Sequence, residues 1–258
     1  MNESTTLVLI TAAFFAIALL YSSVGFGGGS SYLAILSLYT TDFLQIKTAA
    51  LLCNLVVVAG GSYLFYKEGL FDKKRFFSLA LFSIPAAFLG ATVHLTQTLF
   101  FIFLGSVLAL SGLLLVLQMF LKTSENGTAR NNSTFLNVFL GGSTGFLSGL
   151  VGIGGGILLS PVLNLLKWDY PKKIAALASF FILVNSIAGL LGQAASKTLR
   201  FQFPLFFLLL SAVFVGGQIG TRLNLRLLKP QLVKGLTGIL VLYIGVKLIV
   251  KYSLSIDI

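Results

Sequence analysis

Gly25-Phe26-Gly27-Gly28-Gly29 returns later in the chain as Gly152-Ile153-Gly154-Gly155-Gly156, and both copies interrupt long apolar runs. Glycine inside a helix is destabilising by roughly 0.5–1 kcal/mol relative to alanine. Three in a row therefore predict that a membrane helix is broken on purpose at each site. Irregular backbone is tolerated at membrane depth only where it is buried in protein or lines a polar cavity. The freed N–H groups of such a break can hold a ligand, most readily an anion at the start of the helix that follows.

Composition places these breaks in lipid. The 258 residues are 57% hydrophobic and only 10% charged, with a mean hydropathy of +0.98, whereas a soluble domain carries about 25% charged residues. Apolar runs such as Leu7 to Tyr21 and Phe203 to Val215 lack the strict alternation of barrel strands. The fold class expected is an all-α polytopic membrane protein, multi-pass in the plasma membrane of a bacterial or archaeal cell. Met1 to Thr6 has no Lys or Arg and no cleavage site follows, so the first apolar segment is expected to stay as a membrane helix. The net charge of +11 comes from short basic groups between apolar segments. They read as topology signals and not as a nucleic-acid surface.

Taken in order, the chain predicts helices over Thr5 to Ser23, Ser30 to Tyr39, Ile46 to Tyr66, Phe76 to Val93 and Thr98 to Leu121. Lys122 to Thr134 is polar, predicts a surface linker, and holds two glycosylation-type triplets at Asn126 and Asn132. The second half repeats the first: the glycine runs, then Ala49-Ala50-Leu51 and Ala175-Ala176-Leu177, then Gly90 and Gly220, then Gly105 and Gly235. Four anchors in order, at nearly one spacing, divide the chain into a first transmembrane repeat (1–121), a linker (122–134) and a second repeat (135–258). Each repeat crosses the bilayer four or five times. With four crossings the 18 basic residues split 10 against 8; with five they split 13 against 5, which the positive-inside rule prefers. Five is odd, so the second repeat would be inverted and the two glycine breaks would approach the midplane from opposite faces. Ser30 to Tyr39 is short for a crossing, so Thr40 to Gln45 is expected to finish it as extended chain.

The duplicated Gly-x-Gly-Gly-Gly, the Ala-rich helix after it, and the small-residue stretches Leu89-Gly90-Ala91 and Ile219-Gly220-Thr221 resemble the sulfite exporter TauE/SafE family of anion permeases. The resemblance spans nearly the whole chain. It implies ATP-independent transport of small sulfur-containing anions such as sulfite, or of organic acids such as sulfonates. Two departures bear on the substrate. Where the family usually has Thr-Ser after the alanines, the chain has Leu52-Cys53 and Ala178-Ser179, and Ser160-Pro161 stands where the first half has Leu33-Ala34.

The substrate-binding candidates are Gly25, Gly27, Gly28, Gly29, Ser30, Cys53, Asn54, Gly152, Gly154, Gly155, Gly156, Ser179 and Asn185. Close helix packing is the competing reading of the glycines, and it is the one expected for Gly60-Gly61, Gly141-Gly142 and Gly216-Gly217. Ser22, Ser23, Ser31 and Ser148 lie beside the breaks. Asn54 and Asn185 sit mid-helix, where an amide in lipid must face either a neighbouring helix or a cavity. Cys53 reads more readily as a small buried hydrophobe. Lys47 and Lys173 stand at corresponding helix starts and read as snorkelling interface residues. The seven acidic residues all fall in expected loops or tails, which disfavours a cation carrier and suits a small anionic substrate. One His, one Cys and no nucleophile–base pairing leave no catalytic, metal or cofactor site, so an enzyme is not expected. The rival functions are a non-transporting membrane scaffold or assembly factor, and a permease for a different organic anion.

Overall fold

The computed structural model describes residues 3–37, 39, 42–120, 134–200, 205–226 and 230–253. The linker expected at 122–134, apart from Thr134, lies outside the described residues, and so do Asn126 and Asn132 of the two glycosylation-type triplets. Every regular element among the described residues is an α-helix: α1 (Glu3–Ser22), α2 (Gly29–Leu36), α3 (Phe43–Lys67), α4 (Lys73–Thr92), α5 (Gln97–Phe120), α6 (Thr134–Val151), α7 (Gly156–Leu165), α8 (Pro171–Ala195), α9 (Leu205–Arg226) and α10 (Pro230–Ser253). The protein is a polytopic helical membrane protein. Among the described residues, five stretches are long and apolar enough to cross a bilayer: Phe43–Lys67, Lys73–Thr92, Gln97–Phe120, Pro171–Ala195 and Phe206–Leu223. Their outward faces carry large apolar side chains such as Leu81, Leu110, Phe207 and Val215, the surface a lipid solvent selects.

Local chemistry sets the helix starts. Asp42 caps α3 by accepting the N–H groups of Leu44 (3.1 Å) and Gln45 (3.2 Å), and Asp72 caps α4 by accepting that of Arg75 at 3.2 Å. Pro171 opens α8 at the first-turn position where its missing N–H costs nothing. Because α3 is helical from Phe43, the extended chain expected through Gln45 is not formed there: the Asp42 cap converts Phe43 to Gln45 into the first helical turn.

Small residues decide which helices meet. On α6, Gly141, Gly145 and Gly149 lie against the backbone of Leu79, Ser83 and Ala87 on α4, so the two helices run parallel. Gly216 and Gly220 of α9 lie in the same way against Phe15 and Leu19 of α1, again parallel. Gly105 and Gly112 of α5 meet Gly245 and Gly238 of α10, which run antiparallel. The antiparallel pair α3 and α8 is joined at one end by Thr48 Oγ1 donating to Gln193 Oε1 at 2.7 Å, and towards the other by Ser62 and Ser179, whose Oγ atoms lie 3.3 Å apart. Gly142 departs from its expected packing role, since nothing approaches it within 4 Å. Of that pair, Gly141 is the one that lies against α4.

The two ends of the bundle differ in chemistry. At one end Arg75 Nη1 donates to Asp169 Oδ2 at 2.7 Å and to the Trp168 carbonyl at 3.0 Å, with its guanidinium 4.9 Å from the Trp168 ring. This joins the first turn of α4 to the α7–α8 connection. At the other end the Arg200 N–H donates to Thr48 Oγ1 at 3.3 Å, and residues 93–95 lie beside the start of α3 and Thr198.

Candidate functional site

Each glycine run is a helix stop followed by a helix start. At the first, Gly25 (φ +84) donates to Ser22 O and Phe26 donates to Tyr21 O, the paired bonds of a Schellman stop, which needs a left-handed residue at this position. Gly28 (φ +89) then begins α2 as its N-cap. At the second, Gly152 (φ +84) donates to Ser148 O and ends α6, and Gly155 (φ +77) caps α7. A run of glycines is required because the stop and the start each use left-handed backbone within four residues. The two helices that follow are short, 8 and 10 residues.

The breaks meet over one side chain, Asn54, which is fully buried in the middle of α3. Its Oδ1 accepts the Gly29 N–H at 2.8 Å. A Cβ added at Gly27 or Gly29 would overlap the Asn54 amide, and one added at Gly154 (φ +76) would stand 3.2 Å from Asn54 Nδ2 and 3.1 Å from Ser186 Oγ. Asn54 Nδ2 and Ser186 Oγ are both buried and both lack a hydrogen-bond partner. Two donors therefore converge on the second break from opposite helices with nothing to receive them. Nearby, Tyr32 OH beside Gly28, Ser148 Oγ beside Gly155, and Asn185 Oδ1 are also buried and unpartnered. Tyr32 is stacked on Phe14 with ring centroids 4.6 Å apart, which fixes its hydroxyl.

The structure thus brings Gly27, Gly29, Asn54 and Gly154 into one contact, with Gly28 and Gly155 as the flanking caps. Gly25 lies instead against Ala175 at the start of α8, and Gly152 against the side-chain stem of Lys47 at the start of α3. Gly156 packs on Ile182 and the Ala178 carbonyl. Ser30 Oγ donates to Tyr21 OH at 3.4 Å, and Tyr21 OH lies 2.6 Å from Ser31 Oγ. Ser179 stands apart, near Ser62, Gly61 and Thr221 at the α3–α8–α9 contact. Cys53 is a buried free thiol in the apolar core that holds Tyr21, Phe26 and Tyr32. Asn185 Nδ2 donates to Phe181 O at 2.8 Å, within its own helix. Ser186 was not among the expected residues, and its position next to Asn185 on α8 was the only hint of it. Lys47 corrects the snorkelling expectation: it is 4% exposed, because Gly152 leaves room for its stem.

Chemically the contact offers donors. An amide NH2, a hydroxyl and the positive ends of two short helices face one place, while the ion pairs of Asp72 and Asp169 with Arg75 lie at one end of the bundle. Buried polar groups gathered where two membrane helices are broken fit the architecture of membrane transporters. The comparison with known proteins gives the family directly: residues 9–248 match the sulfite exporter TauE/SafE family, and the chain belongs to it. It is similar to the "Probable membrane transporter protein y4hK" of Sinorhizobium fredii, 32% identical over 95% of this chain and 99% of that protein. Shorter likenesses link it to the "Probable membrane transporter protein YunE" of Bacillus subtilis (32% identical, 41% of this chain and 37% of that one) and the "Probable membrane transporter protein MJ0441" of Methanocaldococcus jannaschii (29% identical, 40% and 41%). No solved structure matches the chain.

Proposed function

We propose that the protein is a secondary permease for a small anion, sulfite or a related sulfur-containing or organosulfonate anion, held between the two glycine breaks. The observation that carries this reading is the pair of buried, unpartnered donors, Asn54 Nδ2 and Ser186 Oγ, closing on Gly154. Leaving a buried polar group unsatisfied costs about 1–3 kcal/mol, so a protein retains two at one place when a ligand completes them. Oxyanion oxygens accept from both, and the α2 and α7 N-termini favour negative charge. The family and the named relatives support transport over a scaffold role.

The transport route follows from two inverted repeats. The order of a long, a short and three long helices recurs in each half (20, 8, 25, 20 and 24 residues, then 18, 10, 25, 22 and 24). Equivalent helices run antiparallel, α3 against α8 and α5 against α10, which supports inversion. Joining of the 67–75 and 167–173 segments by Arg75 and Asp169 supports their sharing the basic, cytoplasmic face with 222–234. The deciding experiment is uptake of labelled sulfite, thiosulfate or a sulfonate into proteoliposomes. Saturable, protein-dependent flux of one of them is expected; absence of flux for all three overturns this substrate class and returns the scaffold reading or a permease for a different organic anion.

A further inference from the structure

We propose that Lys47, His94 and Thr198 wall an anion-capture vestibule, a second polar station that feeds the glycine break from the face opposite the Arg75–Asp169 pair. The proposal rests on the permease reading above and adds an entrance to it.

A cavity of ≈ 60 Å³ lies where the start of α3, the end of α4, the start of α5, the end of α6 and the turn after α8 come together. Phe43, Leu44, Phe100 and Leu150 give it apolar walls, and its polar lining is Lys47, His94 and Thr198. A water occupies about 30 Å³ in the liquid, so the space suits one small oxyanion or two waters. Lys47 is 4% exposed and forms no ion pair with a described acidic residue. A lysine so enclosed without a carboxylate is a cost to the fold unless something negative comes to it.

The position of that charge is informative. A Cβ on Gly152 would overlap the Lys47 stem, so the lysine lies directly on the residue that ends α6. Two residues further on is Gly154, where Asn54 Nδ2 and Ser186 Oγ converge. Leu150 and Gly152 thus join the cavity wall to the donor site along a single short stretch of chain. His94 is exposed at the rim, which leaves Lys47 as the charge an anion meets inside. A lone ammonium in apolar walls attracts anions from solution and, unlike a bidentate arginine, can swing to release them. On the Arg75 face the corresponding Lys173 is only partly buried, with its ammonium 5.8 Å from the Tyr170 ring centroid, so the device belongs to one entrance.

The test reads the field of Lys47 without requiring transport. His94→Cys puts a thiol at the rim, and the native Cys53 is buried and serves as the silent background. Labelling by an anionic methanethiosulfonate is expected to outpace labelling by a cationic one, and Lys47→Met is expected to reduce that rate ratio roughly fivefold or more, from Coulomb interaction at about 10 Å in a partly screened site. Lys47→Met keeps an unbranched stem on Gly152, and Lys47→Arg, which keeps the charge, is expected to preserve the ratio. Sulfate, which does not consume the reagent, is expected to slow labelling in His94→Cys and not in His94→Cys/Lys47→Met. A ratio unchanged by Lys47→Met, or no protection by sulfate, overturns the vestibule. Charge selectivity and protection with no flux of any anion in proteoliposomes supports the vestibule and overturns the permease reading instead.

Discussion

Asn54→Asp is the most searching substitution the site allows, because it changes one atom. The carboxylate keeps an oxygen for the Gly29 N–H, now 2.8 Å from Asn54 Oδ1, and keeps the side-chain volume that fits against Gly27 and Gly29. What it replaces is Nδ2, the unpartnered donor near Gly154. In the ionised form an oxygen bearing negative charge then faces the substrate. Two like charges about 4 Å apart repel by about 4 kcal/mol at an effective dielectric of 20, and each 1.4 kcal/mol is tenfold in affinity. Loss of transport by roughly 10²–10³-fold in half-saturation is expected.

The sign with pH follows from the two forms of the carboxyl. Neutral, it presents an O–H that donates where Nδ2 did; ionised, it accepts only and repels. Activity of Asn54→Asp relative to wild type at the same pH is therefore expected to rise as pH falls. Asn54→Leu separates this from damage to the fold: it leaves the Gly29 N–H buried without an acceptor, at a cost of about 1–3 kcal/mol in stability, and recovers nothing at low pH. The assay is initial uptake into proteoliposomes of whichever labelled anion the wild type carries, across pH 5.5 to 8. Flux through Asn54→Asp equal to wild type at every pH would refute the claim that this amide faces the substrate.

Three further outcomes are expected. Gly28→Leu and Gly155→Leu should abolish flux while the protein still inserts, since both positions have positive φ and a side chain would strike Tyr32 in one case and Phe181 or Ser148 in the other; flux in either variant would show that the glycines serve packing alone. Arg75→Ala should lower thermal stability by about 3 kcal/mol, because it strands Asp169, whose side chain is only 3% exposed, and an unchanged melting temperature would count against that reading. Cysteines placed at Lys73 and Lys172 should label from one side of the membrane and one at His94 from the other; labelling of Lys73 and Lys172 from opposite sides would sink the proposed topology.

The parts of this structure readable beforehand were those written locally. A triple glycine in an apolar run signals a helix stop and restart without reference to any neighbour, and Gly25, Gly28, Gly152 and Gly155 do adopt left-handed backbone. Helix ends were legible to within a few residues for the same reason, except where Asp42 capped α3 earlier than the apolar pattern suggested. Contacts across the fold were not legible. Nothing near Lys47 in sequence says that it is buried; that depends on Gly152 leaving room for its stem. Ser179 looked equivalent to Cys53 by repeat alignment, yet it meets Ser62 on the facing helix, and Ser186 enters the site only because α8 runs antiparallel to α3.

The shift that aligns Ala49 with Ala175 aligns Asn54 with Phe180, so the amide that meets both breaks has no counterpart. Phe180 instead lies 3.9 Å, ring centroid to centroid, from Phe71 of the α3–α4 connection, away from the glycines. The two breaks are alike in backbone, each a left-handed stop and a left-handed cap, while the side chains around them differ: Asn54, Tyr32 and Ser31 come from the first half, Ser148, Asn185 and Ser186 from the second. The two short helices begin beside one side chain, Asn54. On the proposed reading the choice of ligand rests with Asn54 and Ser186, the described residues whose unpartnered donors stand beside Gly154. Phe180→Asn alone, which places the same residue at both aligned positions, is therefore expected to leave the donors beside Gly154 unchanged, because Phe180 packs on Phe71 and not on the glycines.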